Sequence, residues 1–384
     1  MSKLNELIQK LCPDGVEYKR LCEVAEVERG VRVVKKQLIN EGYPVYQNSL
    51  TSMGFHSESN YPAGTAFVIG AGAAGEIGYA TEDFWAADDC YCIVPNESVM
   101  SRFIYHVALN QKAFIASKVR KASIPRLARS VIENLKIPVP PLEVQREIVR
   151  ILDNFTELTA ELTAELTARK LQYEHYQDEL FAIDDCELLQ IKDIATTNIG
   201  LATSVTKHKV DQGVLLLHNS DIQQNHIVLK QYEYISEEFA QKNAKKILQK
   251  NDIITVHTGD VGTSAVIDGS YVGSIGFTTI TTRINDTAKI LPEYLCHYLN
   301  SHRCKSDIAS MTISDRSNLN QSSYEKLFIP VPPVAEQKRI VDILDRFDAI
   351  CNDISAGLPA EIEARQKQYE YYRDKLLTFK EVGA

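Results

Sequence analysis

The chain has 384 residues, 44% of them hydrophobic and 24% charged, which is long enough for two or three domains that each bury a core. No apolar run approaches the roughly 18 residues needed to cross a bilayer, and Lys3, Glu6 and Lys10 interrupt the start, so neither a membrane anchor nor a signal peptide is expected. The formal net charge of −9 opposes polyanion binding by the chain as a whole. The charge is uneven, however. Residues 102–136 carry Arg102, Lys112, Lys118, Arg120, Lys121, Arg126, Arg129 and Lys136 against the single acid Glu133, a local +7. Such a run is either a solvated face or a nucleic-acid contact. The cysteines Cys12, Cys22, Cys90, Cys92, Cys186, Cys296, Cys304 and Cys351 form no C-x-x-C pair, which predicts reduced, mostly buried thiols in a cytoplasmic protein.

In chain order, residues 17–25 (EYKRLCEVA) open a first domain, Gln47, Asn48 and Ser49 end a strand, and residues 66–69 form a strand that enters the turn 70–75 (GAGAAG). That turn fits G-x-G-x-x-G and raises the alternative of a nucleotide-dependent enzyme, but EIGYATEDFW follows it with no helical stripe. The basic segment comes next, then IPVPPLEVQREIVRILDNF at residues 137–155. Pro140-Pro141 suits a helix entry. Apolar residues at Ile148, Ile151, Leu152, Phe155, Leu158, Leu162 and Leu166 predict an amphipathic helix of about 40 residues, roughly 60 Å long.

The block then recurs as IPVPPVAEQKRIVDILDRF at residues 329–347, offset by 192. Further on, QYEHYQDEL at 172–180 returns as QYEYYRDKL at 368–376, offset by 196. Upstream the similarity is weaker: residues 187–195 echo 17–25, His218, Asn219 and Ser220 echo Gln47 to Ser49, and ITVHTGDVG at 254–262 echoes FVIGAGAAG at 67–75. The second copy of the turn has His257 in place of the first glycine, which further weakens the phosphate-cradle reading. Gly357 and Pro359 predict a break in the second helix near 355–359, with a last segment reaching about Phe379.

The predicted fold is thus mixed α/β (α+β), with two repeated domains, each followed by a long helix. The domains span 1–136 and 183–328, the helices 137–182 and 329–384. An amphipathic helix this long needs a partner for its stripe, and the two helices of one chain provide it most simply as an antiparallel coiled coil. A coiled-coil scaffold that does not touch DNA is a further alternative.

The doubled block, Pro140-Pro141, Gln145, Ile148-Val149, Leu152-Asp153 and Phe155 against Pro332-Pro333, Gln337, Ile340-Val341, Leu344-Asp345 and Phe347, resembles the specificity subunit of type I restriction-modification systems. The resemblance covers essentially the whole chain. It implies a non-catalytic DNA-recognition subunit whose domains each read one half of a bipartite double-stranded target, with helices that set the gap and dock two modification subunits. Those subunits would carry S-adenosylmethionine and methylate adenine, and restriction subunits would add ATP- and Mg-dependent translocation and cleavage. This chain would hold no cofactor or metal of its own. Candidate DNA contacts in the first domain are Gln47, Asn48, Ser49, Lys118, Arg120, Lys121, Ser123, Arg126 and Arg129. In the second domain they are His218, Asn219, Ser220, His257, Thr258, Asp260, Ser314, Arg316, Ser317, Asn318 and Asn320. The first domain is shorter between its strand-turn and basic segment than the second, so residues in that stretch do not transfer one for one.

Overall fold

A computed structural model describes residues 2–183, 186–202, 205–311, 318–352 and 356–383. It divides into two compact units, Met1–Leu162 with Ile362–Ala384, and Thr163–Glu361. Each unit therefore takes about half of the long helix and part of the other helical region.

In the first unit an antiparallel sheet runs in the order Ala25–Arg29, Cys90–Pro95, Ala66–Ile69, Ile77–Tyr79. Its central strand, Ala66–Ile69, is buried at every position. Alternation then divides the side chains: Ala66 and Val68 join the main core with Phe103 and Leu127, while Phe67 and Ile69 pack on Phe84, Cys90 and Cys92. A smaller sheet, Phe55–His56, Tyr43–Tyr46 and Trp85–Ala86, lies beyond the second face. The domain is closed by Tyr18–Arg20, which pairs antiparallel with Lys136–Pro138 just before the long helix.

The second unit repeats this plan. Ala195–Ile199, Thr279–Ile284, Ile253–Val256 and Ser264–Val266 form a sheet of the same order, and Glu187–Gln190 pairs with Phe328–Val331. Its central strand is again wholly buried, and Thr255 inside it is satisfied by Ser264 Oγ at 2.8 Å and the Tyr324 hydroxyl at 3.3 Å.

The long helix spans Leu142–Phe181, 40 residues, and starts immediately after Pro141, as the proline signal requires. The second helical region breaks as expected, into Val334–Cys351 and Leu358–Leu376, with Pro359 in the first turn of the latter. In the first unit Phe155 stacks on Tyr372, ring centroids 5.4 Å apart. In the second unit their repeat counterparts meet, Phe347 with Tyr176 at 5.5 Å, and Phe347 also faces Tyr173 at 6.0 Å. As the long helix advances from Phe155 to Tyr176 its partner number falls from 372 to 347, the sense of an antiparallel pair. Among the described residues no helix is long and apolar enough to cross a membrane. All eight cysteines are free thiols, with Cys22 exposed and Cys186 half-buried.

Candidate nucleic-acid interface

The residues 70–75 turn links two antiparallel strands, Ala66–Ile69 and Ile77–Tyr79, so no helix N-terminus is aimed at it and the phosphate-cradle geometry is absent. Its role is different: it holds together the two segments that the sequence marks for DNA. Ala73 N–H donates to Asn48 O at 2.8 Å, Gly72 N–H to Pro125 O at 3.1 Å, and Leu127 N–H to Gly70 O at 2.8 Å. Gly72 has φ +82° and a Cβ there would lie 2.8 Å from Asn48, so both backbone angle and close approach demand glycine.

Arg120 and Arg126 close a small loop by exchanging backbone hydrogen bonds of 2.8 and 3.2 Å, which leaves Lys121 and Ser123 exposed within it. Arg120, Lys121 and Arg126 are exposed and face no carboxylate among the described residues. Lys118 is exposed over the Phe114 ring at 5.1 Å. Arg129 is committed to Glu133 at 2.9 Å, and Lys112 to Glu76 at 2.9 Å, so these two cations are partly neutralised inside the protein. Asn48 is exposed, while Ser49 turns back to Thr51 O at 2.9 Å and serves the local turn. Gln47 is half-buried next to Asn48.

The second unit has the same hub with other side chains. Asn219 Nδ2 donates to Thr258 O at 2.6 Å, Leu319 N–H donates to His257 O at 2.9 Å, and Thr258 pairs with Asn318 in an antiparallel bridge. The bond from Leu319 to His257 is the repeat equivalent of that from Leu127 to Gly70, and the Thr258–Asn318 bridge is the equivalent of one between Ala71 and Arg126. Here the side chains join in: Thr258 Oγ1 donates to Asn318 Oδ1 at 2.9 Å, so His257 Nδ1, 2.8 Å from Thr258 Oγ1, must be the donor of its pair. Burial holds His257 below the usual imidazole range, which favours this neutral form. Asp260 accepts from Thr263 Oγ1 at 2.7 Å, a turn-closing bond.

His218 is tied to Glu233 at 2.9 Å, a carboxylate held below its usual range by hydrogen bonds from Lys209 and then His218. Its ring also meets Phe277 edge-on, so its orientation is set by Glu233 and Phe277 together. Ser220 and Asn320 are exposed, the latter directly before the short helix Gln321–Tyr324. Ser314, Arg316 and Ser317 lie outside the described residues. Among the described residues no group of three or more His, Cys, Asp or Glu could hold a metal ion.

Two sets of bonds, centred on buried Gln and His side chains, have no obvious signal in single residues. Gln145 accepts from Met100 N–H at 2.9 Å and donates to Pro140 O at 2.7 Å, and Gln337 does the same with Leu291 N–H at 2.9 Å and Pro332 O at 2.8 Å. His106 Nε2 lies 2.8 Å from Asp153, and His297 Nε2 lies 2.8 Å from Asp345. The repeat of Gln and Asp in both Pro-Pro helices is their one sign in the sequence, and it is explained by these bonds that lock each helix to its domain.

Two stretches of the chain, residues 13–169 and 183–364, match the family described as type I restriction modification DNA specificity domain. The chain belongs to that family. It is 31% identical over 95% of its length and 96% of the relative's to a protein of Haemophilus influenzae named a putative type I restriction enzyme specificity subunit. Over 64% of its length and 63% of the relative's it is 36% identical to the Escherichia coli specificity subunit of type I restriction enzyme EcoR124I/EcoR124II. Its fold is that of a solved type I restriction-modification S subunit from M. genitalium, with TM-score 0.66 at 15% identity over 94% of this chain and 96% of that one. In this type I DNA-specificity subunit a shared backbone frame presents Asn48 and Arg126 on the hub of one unit and Asn219 and Asn318 on the hub of the other.

Proposed function

We propose that each hub reads one half of a bipartite double-stranded DNA sequence and that the chain acts as the address of an assembly whose chemistry resides in other subunits. The observation that carries this reading is the repeated frame: equivalent backbone bonds around residues 70–75 and 257–262 hold different polar side chains. A constant scaffold with variable donors and acceptors is what base readout needs, because each base pair presents its own pattern in the major groove. Arg120, Lys121 and Arg126 suit guanine edges or phosphates, Asn48 suits adenine, and the Thr258–Asn318 pair offers neutral donors and acceptors.

In this reading the chain is not itself an enzyme, and it works in the cytoplasm. Two modification subunits dock on the paired helices and use S-adenosylmethionine to methylate adenine, while restriction subunits use ATP and Mg to translocate and cleave. The chain co-purified with its modification subunits should bind one bipartite sequence in a salt-sensitive manner, and single-molecule sequencing of host DNA should lose one adenine-methylation motif when the gene is deleted. An unchanged methylation pattern together with sequence-indifferent binding would rule the reading out.

A further inference from the structure

The loop 120–126 is not the only exposed basic element of the first unit. Residues 30–36 (GVRVVKK) leave the first unit's sheet after the strand Ala25–Arg29, and from Arg29 to Lys36 there is no acid. The segment is fixed rather than loose. Gly30 N–H donates to Cys90 O at 3.0 Å, Val31 N–H to Ala86 O at 2.9 Å, and Trp85 Nε1 to Val31 O at 2.9 Å. A Cβ on Gly30 would stand 2.3 Å from Ala87 O, so the chain passes where only glycine fits. Val33 is buried against Val45, Ala87 and Trp85, and a 3-10 turn at Lys35–Gln37 ends the segment.

What this frame presents outward is unusual. Val31 and Val34 are 56% and 46% exposed, and Arg32, Lys35 and Lys36 are exposed with no ion-pair partner among the described residues. The same strand that holds Val31 also holds the hub, because Ala87 N–H donates to Tyr46 O at 2.9 Å, directly before Gln47 and Asn48. The second unit repeats the frame: a Cβ on Gly200 would lie 2.3 Å from Gly276 O, Val205 is buried, and a 3-10 turn Thr206–His208 presents Lys207.

We propose that residues 31–36 are a second DNA-contacting arm, which enters the minor groove beside the half-site read by Asn48 and Arg126. The inference rests on the DNA-reading function proposed above. A narrow minor groove concentrates negative potential that draws in Arg32, and its sugar-lined walls accept Val31 and Val34, while Lys35 and Lys36 sit on phosphates. Pre-fixing the arm by Gly30, Trp85 and Val33 lowers the ordering cost of that contact.

The test uses the assembled complex with its modification subunits, a duplex carrying its methylated sequence, and a duplex lacking it. Arg32→Ala should weaken binding to both about tenfold, and the triple change Arg32→Ala, Lys35→Ala, Lys36→Ala should lower the salt slope by about 1 for each lost phosphate contact while the methylated sequence stays the same. Hydroxyl-radical footprinting should lose one patch of minor-groove sugar protection at the end of a single half-site. Thermal melting, unchanged for these exposed positions, separates a lost contact from lost folding. The arm is wrong if the wild-type complex binds its sequence specifically and the triple variant matches it in affinity, salt slope and footprint. A wild-type complex with no sequence preference would instead overturn the DNA-reading function and the arm with it.

Discussion

Gln145 Oε1 accepts the backbone N–H of Met100 at 2.9 Å while its amide nitrogen donates to Ser98 O at 2.9 Å and Pro140 O at 2.7 Å. The side chain is fully buried, and one residue thus satisfies the start of the Ser101–Asn110 helix and the Pro-Pro entry of the long helix together. Gln337 makes the equivalent set with Leu291, Lys289 and Pro332. Gln145→Leu keeps the bulk and removes every bond, stranding buried backbone groups whose desolvation costs about 1 to 3 kcal/mol each. An overall loss of about 2 to 4 kcal/mol is expected in urea unfolding, with Gln145→Glu also destabilising because it lacks the donors. A loss under about 0.5 kcal/mol for Gln145→Leu would show that the bonds do not hold the helix to the domain.

This bond set also marks how far the sequence can be read. The doubled Gln is visible as a repeat, and the 3.6-residue stripe with Pro140-Pro141 and Gly357-Pro359 is enough for the helix, its start and its break, because those signals are local. The hub is legible only as separate pieces. Asn48 with Ala73 and Gly70 with Leu127 are joined by backbone bonds between segments far apart in sequence, and no periodicity encodes such a bond. Side-chain commitment is equally hidden. Lys112 looks like Lys121 in a basic run, and only the fold brings Glu76 against it, whereas the i,i+4 spacing of Arg129 and Glu133 already hints at their pairing on one short helix. The Glu233 partner of His218 is hidden in the same way, since the two lie 15 residues apart in sequence.

His106 is completely buried, with Nε2 2.8 Å from Asp153 and Nδ1 3.2 Å from the Tyr369 hydroxyl. Burial pushes its imidazole below the usual range, against the opposing pull of Asp153. The folded protein therefore keeps His106 neutral at a pH where the unfolded chain already binds the proton. Stability from this group is fully present above about pH 6.5 and is lost as pH falls below it, until the folded-state value is passed. His106→Gln should lower stability at neutral pH but flatten the part of the curve just below about pH 6.5. Urea midpoints measured at intervals across that range give the answer, and a variant curve parallel to wild type would mean that His106 does not titrate differently in the two states.

Arg126 lies where the loop 120–126 returns to the glycine turn, with its backbone fixed to Arg120, whereas Lys121 is exposed just inside the loop and outside those closing bonds. A guanidinium on a fixed backbone suits bidentate pairing with guanine, and a mobile ammonium suits phosphate. Arg126→Ala should cost about 1 to 3 kcal/mol on the specific duplex and relax preference at one base, while Lys121→Ala should weaken all duplexes alike and reduce the salt slope by about 1. Competition binding against a panel of single-base variants distinguishes the two. Equal, sequence-independent losses would reduce the loop to phosphate holding.

The long helix contains Thr159-Ala160-Glu161-Leu162 followed by Thr163-Ala164-Glu165-Leu166, a four-residue unit repeated inside the continuous stretch Leu142–Phe181. Ala, Glu and Leu are strong helix formers, and leucine every fourth residue keeps a stripe on nearly one side. One more unit inserted after Leu166 would extend the helix by about 6 Å and rotate its C-terminal half by roughly 40°, so the apolar stripe still meets its partner. If the paired helices set the separation of the two recognition hubs, the unread gap between the DNA half-sites should widen by one or two base pairs, since a base pair rises about 3.4 Å. The half-sites themselves should stay the same, because neither hub is altered. Removal of one unit should narrow the gap in the same way. Methylation sequencing of cells that carry each variant reads both the half-sites and the gap. Variants that fold and methylate DNA while keeping the original gap would show that the distance is fixed elsewhere, by the docked subunits or by bending of the DNA, and not by the length of this helix.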